Sequence, residues 1–575
     1  MQSENIPLNK PTIGDRHSKP EKWEYLIPAF ITIVLIISCI LVSSKKYYWN
    51  DELYSYYLLS EDTFSQMWGS FNDKINNTPP LYFVLGWLWA KLFSASELSL
   101  RLFSSIGFAL SCWITWTILR RTFSFVATSI GVLVPYCAST LVLYQNSEAR
   151  MYGLYMTVCA IGLLLYDTIN KKANPGTKLL IANAVIHALF IQTHLHGLFF
   201  SGAVLASFIA TDWYFNRFRP KVYLSIVVGW LSFLLYLPAF LIQIDAGNPR
   251  TWIYLPSWRD LVDTLTLFEY SQRQWDTPFP VTYWTWLKLT LLVSVLGLAG
   301  WLFIRSLIKN ARSGQIRQGT YHGKENSIPL MFLAGAFMVM PPLVWCISYV
   351  IKPVFMDRYL MPILLSWTII GAYLTTYFGQ FIKKSSLPNK LGLSHSRLST
   401  VYSIVFICIA LELLNLPIYY AVRKNKEGLP GDEDKLYGYE SLPMVVTKSN
   451  DFLKRMHYSP QRDRYRFVLD WPSAVDKASG MFPPQEYKHL QALNRRYPNY
   501  FKNQIIQSKD FLKDTKRFLV LDFKNYAKKA SGEPTVGNLQ SPQWFSRVIL
   551  SDPKYKVTFL GEMYSYWIIT LVEAK

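Results

Sequence analysis

"LIPAFITIVLIISCILVSSKKYYWNDELYSYY" (residues 26–57) runs from an apolar stretch through a lysine pair to two adjacent carboxylates set among aromatic residues. Residues 26–43 carry no charge and approach the ~20 apolar residues with which a helix crosses a bilayer. The stretch is too long for the h-region of a cleaved signal peptide, and Lys45-Lys46 follows it, so it reads as an uncleaved first span. The same pattern recurs along the chain. Of 575 residues, 51% are apolar, 16% aromatic and only 17% charged, where a soluble domain carries about a quarter. The shortage of charge is concentrated before residue 420. Further runs at 102–119, 125–143, 151–167, 179–193, 198–215, 222–244, 284–304, 328–350, 359–382 and 400–421 bring the expected spans to eleven. "PPLYFVLGWLWAKLF" (79–93) is too short to cross and reads as an interfacial or re-entrant helix. The fold class expected is a polytopic α-helical membrane protein.

Loop charge sets the orientation. With the N-terminus cytoplasmic, the loops at 120–124, 168–178, 216–221, 305–327 and 383–399 face the cytoplasm. They hold 17 Lys or Arg in about 60–65 residues, against 11 in roughly twice that length on the other side. An odd number of spans then leaves the chain after residue 422 outside. "RKNKEGLPGDEDK" opens that part as a polar linker. "RYRFVLDW" (464–471) and "KRFLVLDF" (516–523) read as strands, "EYKHLQALNRRY" (486–497) has helical spacing, and "YKVTFLGEMYSYWIITLVE" forms one or two strands. The expected organisation is a cytoplasmic tail at 1–25, a membrane domain at 26–422 and a small extracytoplasmic α/β domain at 423–575, in a plasma or inner membrane.

Composition and motifs also exclude. The net charge of +21 is partly an orientation device, with a solvated basic C-terminal part supplying the rest, and does not point to nucleic acid. There is no P-loop, no GxGxxG after a strand, no paired CxxC and no HExxH. Cys39, Cys112, Cys137, Cys159, Cys346 and Cys408 all lie in apolar runs and read as small core-filling residues.

In this orientation five polar motifs share the outer face: Asp51-Glu52, "NNTPPLYF" (76–83), "QNSEARMYG" (145–153), "THLHG" (193–197) and "KPVFMDRYLMP" (352–362). Charge beside a membrane span is expensive and tends to mark function. Each motif taken singly also has a structural reading: Asp51 or Glu52 capping a helix, Glu148 paired with Arg150, His194 or His196 hydrogen-bonded in a turn, Arg358 and Tyr359 anchored at the interface. Pro341-Pro342 in mid-span fits either a simple kink or a cavity wall.

The succession of a first span, Asp-Glu, "PPLYF", "ELSLRLFSSIGFAL" (97–110), Arg120-Arg121 and "SEARMYGLYM" resembles the polytopic glycosyltransferases of the GT-C superfamily. Among these it is similar to the dolichyl-phosphate-mannose protein mannosyltransferase-like (PMT-2) enzymes and to the bacterial lipid A aminoarabinose and lipopolysaccharide-core sugar transferases. The likeness is specific over about residues 45–200, weaker at "DRYLMP" and absent from 423 onward. Relatives often carry His before the Pro-Pro pair where this chain has Thr78, and His194 or His196 is the available substitute.

The resemblance implies a hexosyl- or pentosyltransferase using a polyprenyl-phosphate-linked sugar at the outer face with inversion, and a glycan, lipid or protein acceptor. It implies Asp51 as catalytic base, and Glu52 as the neighbour that orients it or shares a proton. Glu148, Arg150, Tyr152, His194, His196, Arg358 and Tyr359 are then the substrate-binding candidates, the arginines for phosphate. No cofactor is assigned with certainty, and a divalent metal ion stays open. The competing classes are a lipid or glycan transporter or flippase and a non-catalytic envelope assembly protein.

Overall fold

The structure is a computed structural model that describes residues 20–249, 253, 255–267, 283–312, 327–384, 438–476, 483–501, 503–523, 544–563 and 567–575. Among the described residues the first part holds the helices α1 Leu26–Lys45, α2 Asn50–Leu59, α3 Phe64–Phe71, α4 Leu81–Phe93, α5 Glu97–Arg120, α6 Phe125–Ala138, α7 Thr140–Asn146, α8 Tyr152–Asn170, α9 Thr177–Thr193, α10 Gly197–Tyr214, α11 Pro220–Trp230, α12 Phe233–Ile244, α13 Trp258–Thr266, α14 Tyr283–Arg312, α15 Ser327–Met338, α16 Met340–Val350 and α17 Ile363–Lys384. Six helical stretches of the described residues are long and apolar enough to cross a membrane, or seven if one bent pair counts as a span. The expected run at 400–421 lies outside the described residues.

The bent pair corrects one expectation. Residues 125–143 are not a single straight span, because α6 and α7 meet at 66°. Ser139 adopts an extended conformation between them, and its hydroxyl accepts from Val142 N while donating to the Leu267 carbonyl at 2.7 Å. A local cap that satisfies freed backbone groups is what makes such a break tolerable in an apolar setting.

Two close contacts fix the centre of the bundle. α5 crosses α8 at Gly107 and Gly153, where a methyl on either glycine would run into the backbone of the other helix. α1 and α5 run antiparallel and are tied at one end by Glu24 to Arg120, with Nε–Oε2 2.7 Å and Nη2–Oε1 2.8 Å. α14, by contrast, buries few of its side chains and offers Leu291, Val293, Leu298 and Ile304 outward.

The C-terminal part forms a six-stranded sheet, β1 Met444–Val446, β2 Tyr465–Leu469, β3 Ile505–Gln507, β4 Arg517–Phe523, β5 Tyr555–Met563 and β6 Trp567–Ala574, in the order β3-β2-β1-β4-β6-β5. β1 to β4 pair in parallel, and β6 and β5 add an antiparallel edge. Alternation sorts the two faces: Val445, Val468, Val520 and Val572 pack with Phe511, Trp544 and Phe545, while Met444, Phe467, Leu469 and Leu519 pack with Phe452, Tyr487 and Leu490. Both faces are thus covered. The helix Pro483–Arg496 then spans the boundary to the first part: Arg495 and Arg496 reach Asp73 at 2.7 and 3.0 Å, and Lys488 reaches Asp245 at 3.1 Å.

Candidate active site

Asp51 sits in the first turn of α2, just beyond the end of α1, with its side chain 27% exposed. Its Oδ2 faces Arg358 Nη2 at 3.4 Å and Arg150 Nη2 at 3.9 Å. Neither distance is that of a tight bidentate pair. Both arginines are buried, Arg358 to 3% exposure, and come from separate segments, Arg150 from the loop before α8 and Arg358 from the 3-10 turn Asp357–Leu360 before α17. Arg150 is held by Ser55 Oγ at 2.9 Å and the Asp51 carbonyl at 3.2 Å. Arg358 lies over the rings of Trp49 and Tyr359, at 5.1 and 5.8 Å from their centroids.

Glu52, one residue on, points elsewhere. It is fully buried, and its Oε1 accepts from Arg101 Nε and Ala149 N, each at 2.9 Å. Its Oε2 accepts from Arg101 Nη2 at 3.1 Å and Trp49 N at 3.2 Å. Burial opposes its charge, but Arg101, Lys46 and these hydrogen bonds outweigh it and lower the pKa. With every oxygen committed, Glu52 ties α2 to α5 and the 147–151 loop. Arg101, its partner, was missed in the sequence because a single arginine in "ELSLRLFSSIGFAL" is absorbed into an apolar run.

Glu148 is also fully buried, with Oε1 on Lys46 Nζ at 3.0 Å. Burial raises its pKa against the pull of Lys46. Glu148 Oε2, Arg150 Nε and the hydroxyls of Tyr152 and Tyr82 are among the buried polar atoms that have no partner within the described residues. Buried polar groups are normally paired, so this cluster around Asp51 is suited to a polar ligand. Tyr82 belongs to the "PPLYF" motif but was not singled out from sequence.

His194 and His196 form a packed wedge. His194 stacks on Tyr155 at 5.2 Å, and both histidines abut Tyr359, at 4.7 and 5.0 Å between centroids. His194 Nδ1 accepts from His196 N at 3.1 Å, and His196 Nε2 donates to the Val354 carbonyl at 3.0 Å. They therefore fasten the segment that carries Arg358. The Thr78 position is served locally, its N and Oγ1 bonding to Asn76 Oδ1 at 2.6 and 2.7 Å.

Burial pushes the His196 pKa down to about 4 and holds His194 well below its usual value. The unfolded chain takes up a proton near pH 6.5 and the native one does not, so this contribution to stability is present above about pH 6.5 and is lost as pH falls toward 4. It amounts to at most about 3 kcal/mol for His196. The thermal midpoint of the detergent-solubilised protein is expected to fall between pH 6.5 and 5, and His196→Gln, which keeps a donor for Val354 without titrating, to flatten that fall. An unchanged slope in the variant would locate the titrating group elsewhere.

Among the described residues no three His, Cys, Asp or Glu side chains come together to hold a metal ion. Asp51 faces two cations instead, so the residues do not fit the divalent metal that the sequence left open, and no chemical step below passes through one.

Solved structures similar to this chain include two of ArnT from Cupriavidus metallidurans. One, bound to undecaprenyl phosphate, is 13% identical with a TM-score of 0.48, covering 96% of this chain and 98% of that one. The other, in the apo state, is 12% identical with a TM-score of 0.49, covering 96% and 97%. At this identity and superposition neither assigns an activity to the chain. No family model and no curated protein matches it.

Proposed function

We propose that this chain is a membrane glycosyltransferase of the GT-C type that moves a sugar from a polyprenyl-phosphate-linked donor to an acceptor hydroxyl on the extracytoplasmic face. The observation that carries the reading is the placement of one partly exposed carboxylate, Asp51, between two buried arginines at 3.4 and 3.9 Å. An acceptor hydroxyl needs a base, and a departing phosphate needs fixed positive charge. The site supplies one of each.

In the proposed step the acceptor O–H gives its proton to Asp51 Oδ while the acceptor oxygen bonds to the anomeric carbon. The bond from that carbon to the phosphate oxygen breaks, and its electron pair leaves with the phosphate between Arg150 and Arg358. A phosphate leaving group needs no acid, which is why one carboxylate suffices where glycosidases employ two. Direct displacement inverts the anomeric centre. Tyr82, Tyr152 and Glu148 line the sugar's side of the site through their unpartnered polar atoms, and the acceptor is a glycan, lipid or protein.

Arg358→Ala is expected to weaken binding of undecaprenyl phosphate, since the phosphate is charged before as well as during transfer. Losing a charge-assisted bond costs ~1.5–3 kcal/mol, about one to two decades of affinity. Titration of the purified protein with that lipid decides it: wild-type affinity in a folded Arg358→Ala variant removes Arg358 from the phosphate site. A comparison of cell-surface glycans with and without the protein identifies the sugar.

The same reading places the N-terminus in the cytoplasm and the C-terminal sheet outside, supported by the loop-charge asymmetry. A reporter fused after Lys575 is expected to register the extracytoplasmic side; a cytoplasmic signal would sink both the topology and the site.

A further inference from the structure

A helix turns about 100° per residue, so the three residues that open α2 address three different bodies. Asp51 meets the two arginines, Glu52 meets Arg101 on α5, and Asn50 reaches the C-terminal domain. There Asn50 Nδ2 donates to both carboxylate oxygens of Glu486, at 3.1 Å each, and Tyr54, on the same face one turn later, donates its hydroxyl to Glu486 Oε2 at 3.0 Å. The helix carrying Glu486 is anchored on both sides, by Tyr487 buried under β2 and by Lys488 on Asp245. A second bond from the same domain runs from the Tyr458 hydroxyl to Glu97, which accepts at 3.4 Å from Arg101, the residue that also holds Glu52.

We propose that Glu486 is a positioning residue for the transfer reaction: from the C-terminal domain it sets the first turn of α2, and with it the Asp51 carboxylate, against Arg150 and Arg358. This rests on the glycosyltransferase reading of the Asp51 site. Glu486 acts through Asn50 and Tyr54 of α2 and so leaves the phosphate side intact. The domain is thereby part of the catalytic assembly, and the carboxylate that serves the reaction depends on one that never meets the substrate.

The test uses the full chain, with undecaprenyl phosphate as the binding probe and the glycan product in cells as the measure of turnover. Glu486→Ala should lower product formation, up to the ~10²-fold that a misplacement on the order of 1 Å costs, while undecaprenyl phosphate affinity stays at the wild-type value. Tyr54→Phe, which removes one bond and keeps the packing, should give a smaller loss in the same direction. Asn50→Asp alone should be as poor as Glu486→Ala, because two carboxylates then face each other, and the double variant Asn50→Asp/Glu486→Gln should recover turnover by exchanging donor and acceptor. Wild-type product from Glu486→Ala, or no recovery in the folded double variant, overturns the positioning role while leaving the function standing. If the wild-type protein neither binds undecaprenyl phosphate nor makes a glycan product, the function reading fails and the positioning role falls with it.

Discussion

Asp51→Asn is expected to reduce sugar transfer by ~10²–10⁴-fold, the usual cost of removing a general base, in a protein that still binds undecaprenyl phosphate. The amide keeps the size and most of the hydrogen bonding of the carboxylate, and it removes the negative charge that faces Arg150 and Arg358 at 3.9 and 3.4 Å. The arginines then lose the anion that competes with the phosphate at 3.4 and 3.9 Å, so lipid affinity should equal or exceed that of the wild type. That divergence, lost turnover with retained binding, separates a base from a residue that merely braces the site. Purified variants compared for lipid binding, transfer and thermal midpoint provide the measurement. A folded Asp51→Asn protein that transfers at the wild-type rate would place the base elsewhere, and Glu52 would be a poor second choice because both its oxygens are already occupied.

Arg101→Met is expected to be the most destabilising single change around the site. It leaves the Glu52 carboxylate fully buried without its bidentate partner, and breaking a buried pair on one side costs about 3–5 kcal/mol. Trp49 N and Ala149 N keep donating to Glu52 but carry no full charge, and Lys46 is engaged by Glu148. Adding Glu52→Gln to Arg101→Met removes the stranded charge, so the double variant should recover a large part of the lost thermal midpoint. Strict additivity of the two changes would show that the pair is not energetically coupled.

The apolar runs and the acid that follows the first of them are legible from the sequence because both are local. Eighteen uncharged residues ahead of Asp51-Glu52 can be read without knowing the partners. What the two acids do is not local. Adjacent on a helix, they face different directions, and only the fold shows that Arg101 takes one of them while the loops at 150 and 358 approach the other. The break at Ser139 escaped for a related reason: the run around Ser139-Thr140 is otherwise apolar, and the carbonyl that receives the Ser139 hydroxyl belongs to Leu267, 128 residues away. His194 and His196 drew notice as polar residues in an outer turn, but a ring nitrogen's role follows from the partner it meets, here the Val354 carbonyl.

The span of chain between Asn50 and Glu486 also imposes an order on biogenesis. Glu52 and Arg101 are 49 residues apart and can pair while the ribosome is still working on the early helices. Asn50 must wait for a partner 436 residues later. At the ~5–20 residues per second of protein synthesis, that delay is roughly 20–90 s, during which α1, α2 and α5 are already made and one face of α2 is uncovered. The nascent chain therefore passes through a stage in which the carboxylate is present and its setting is unfinished. Any factor that attends the maturation of this protein would find α2 as the open surface.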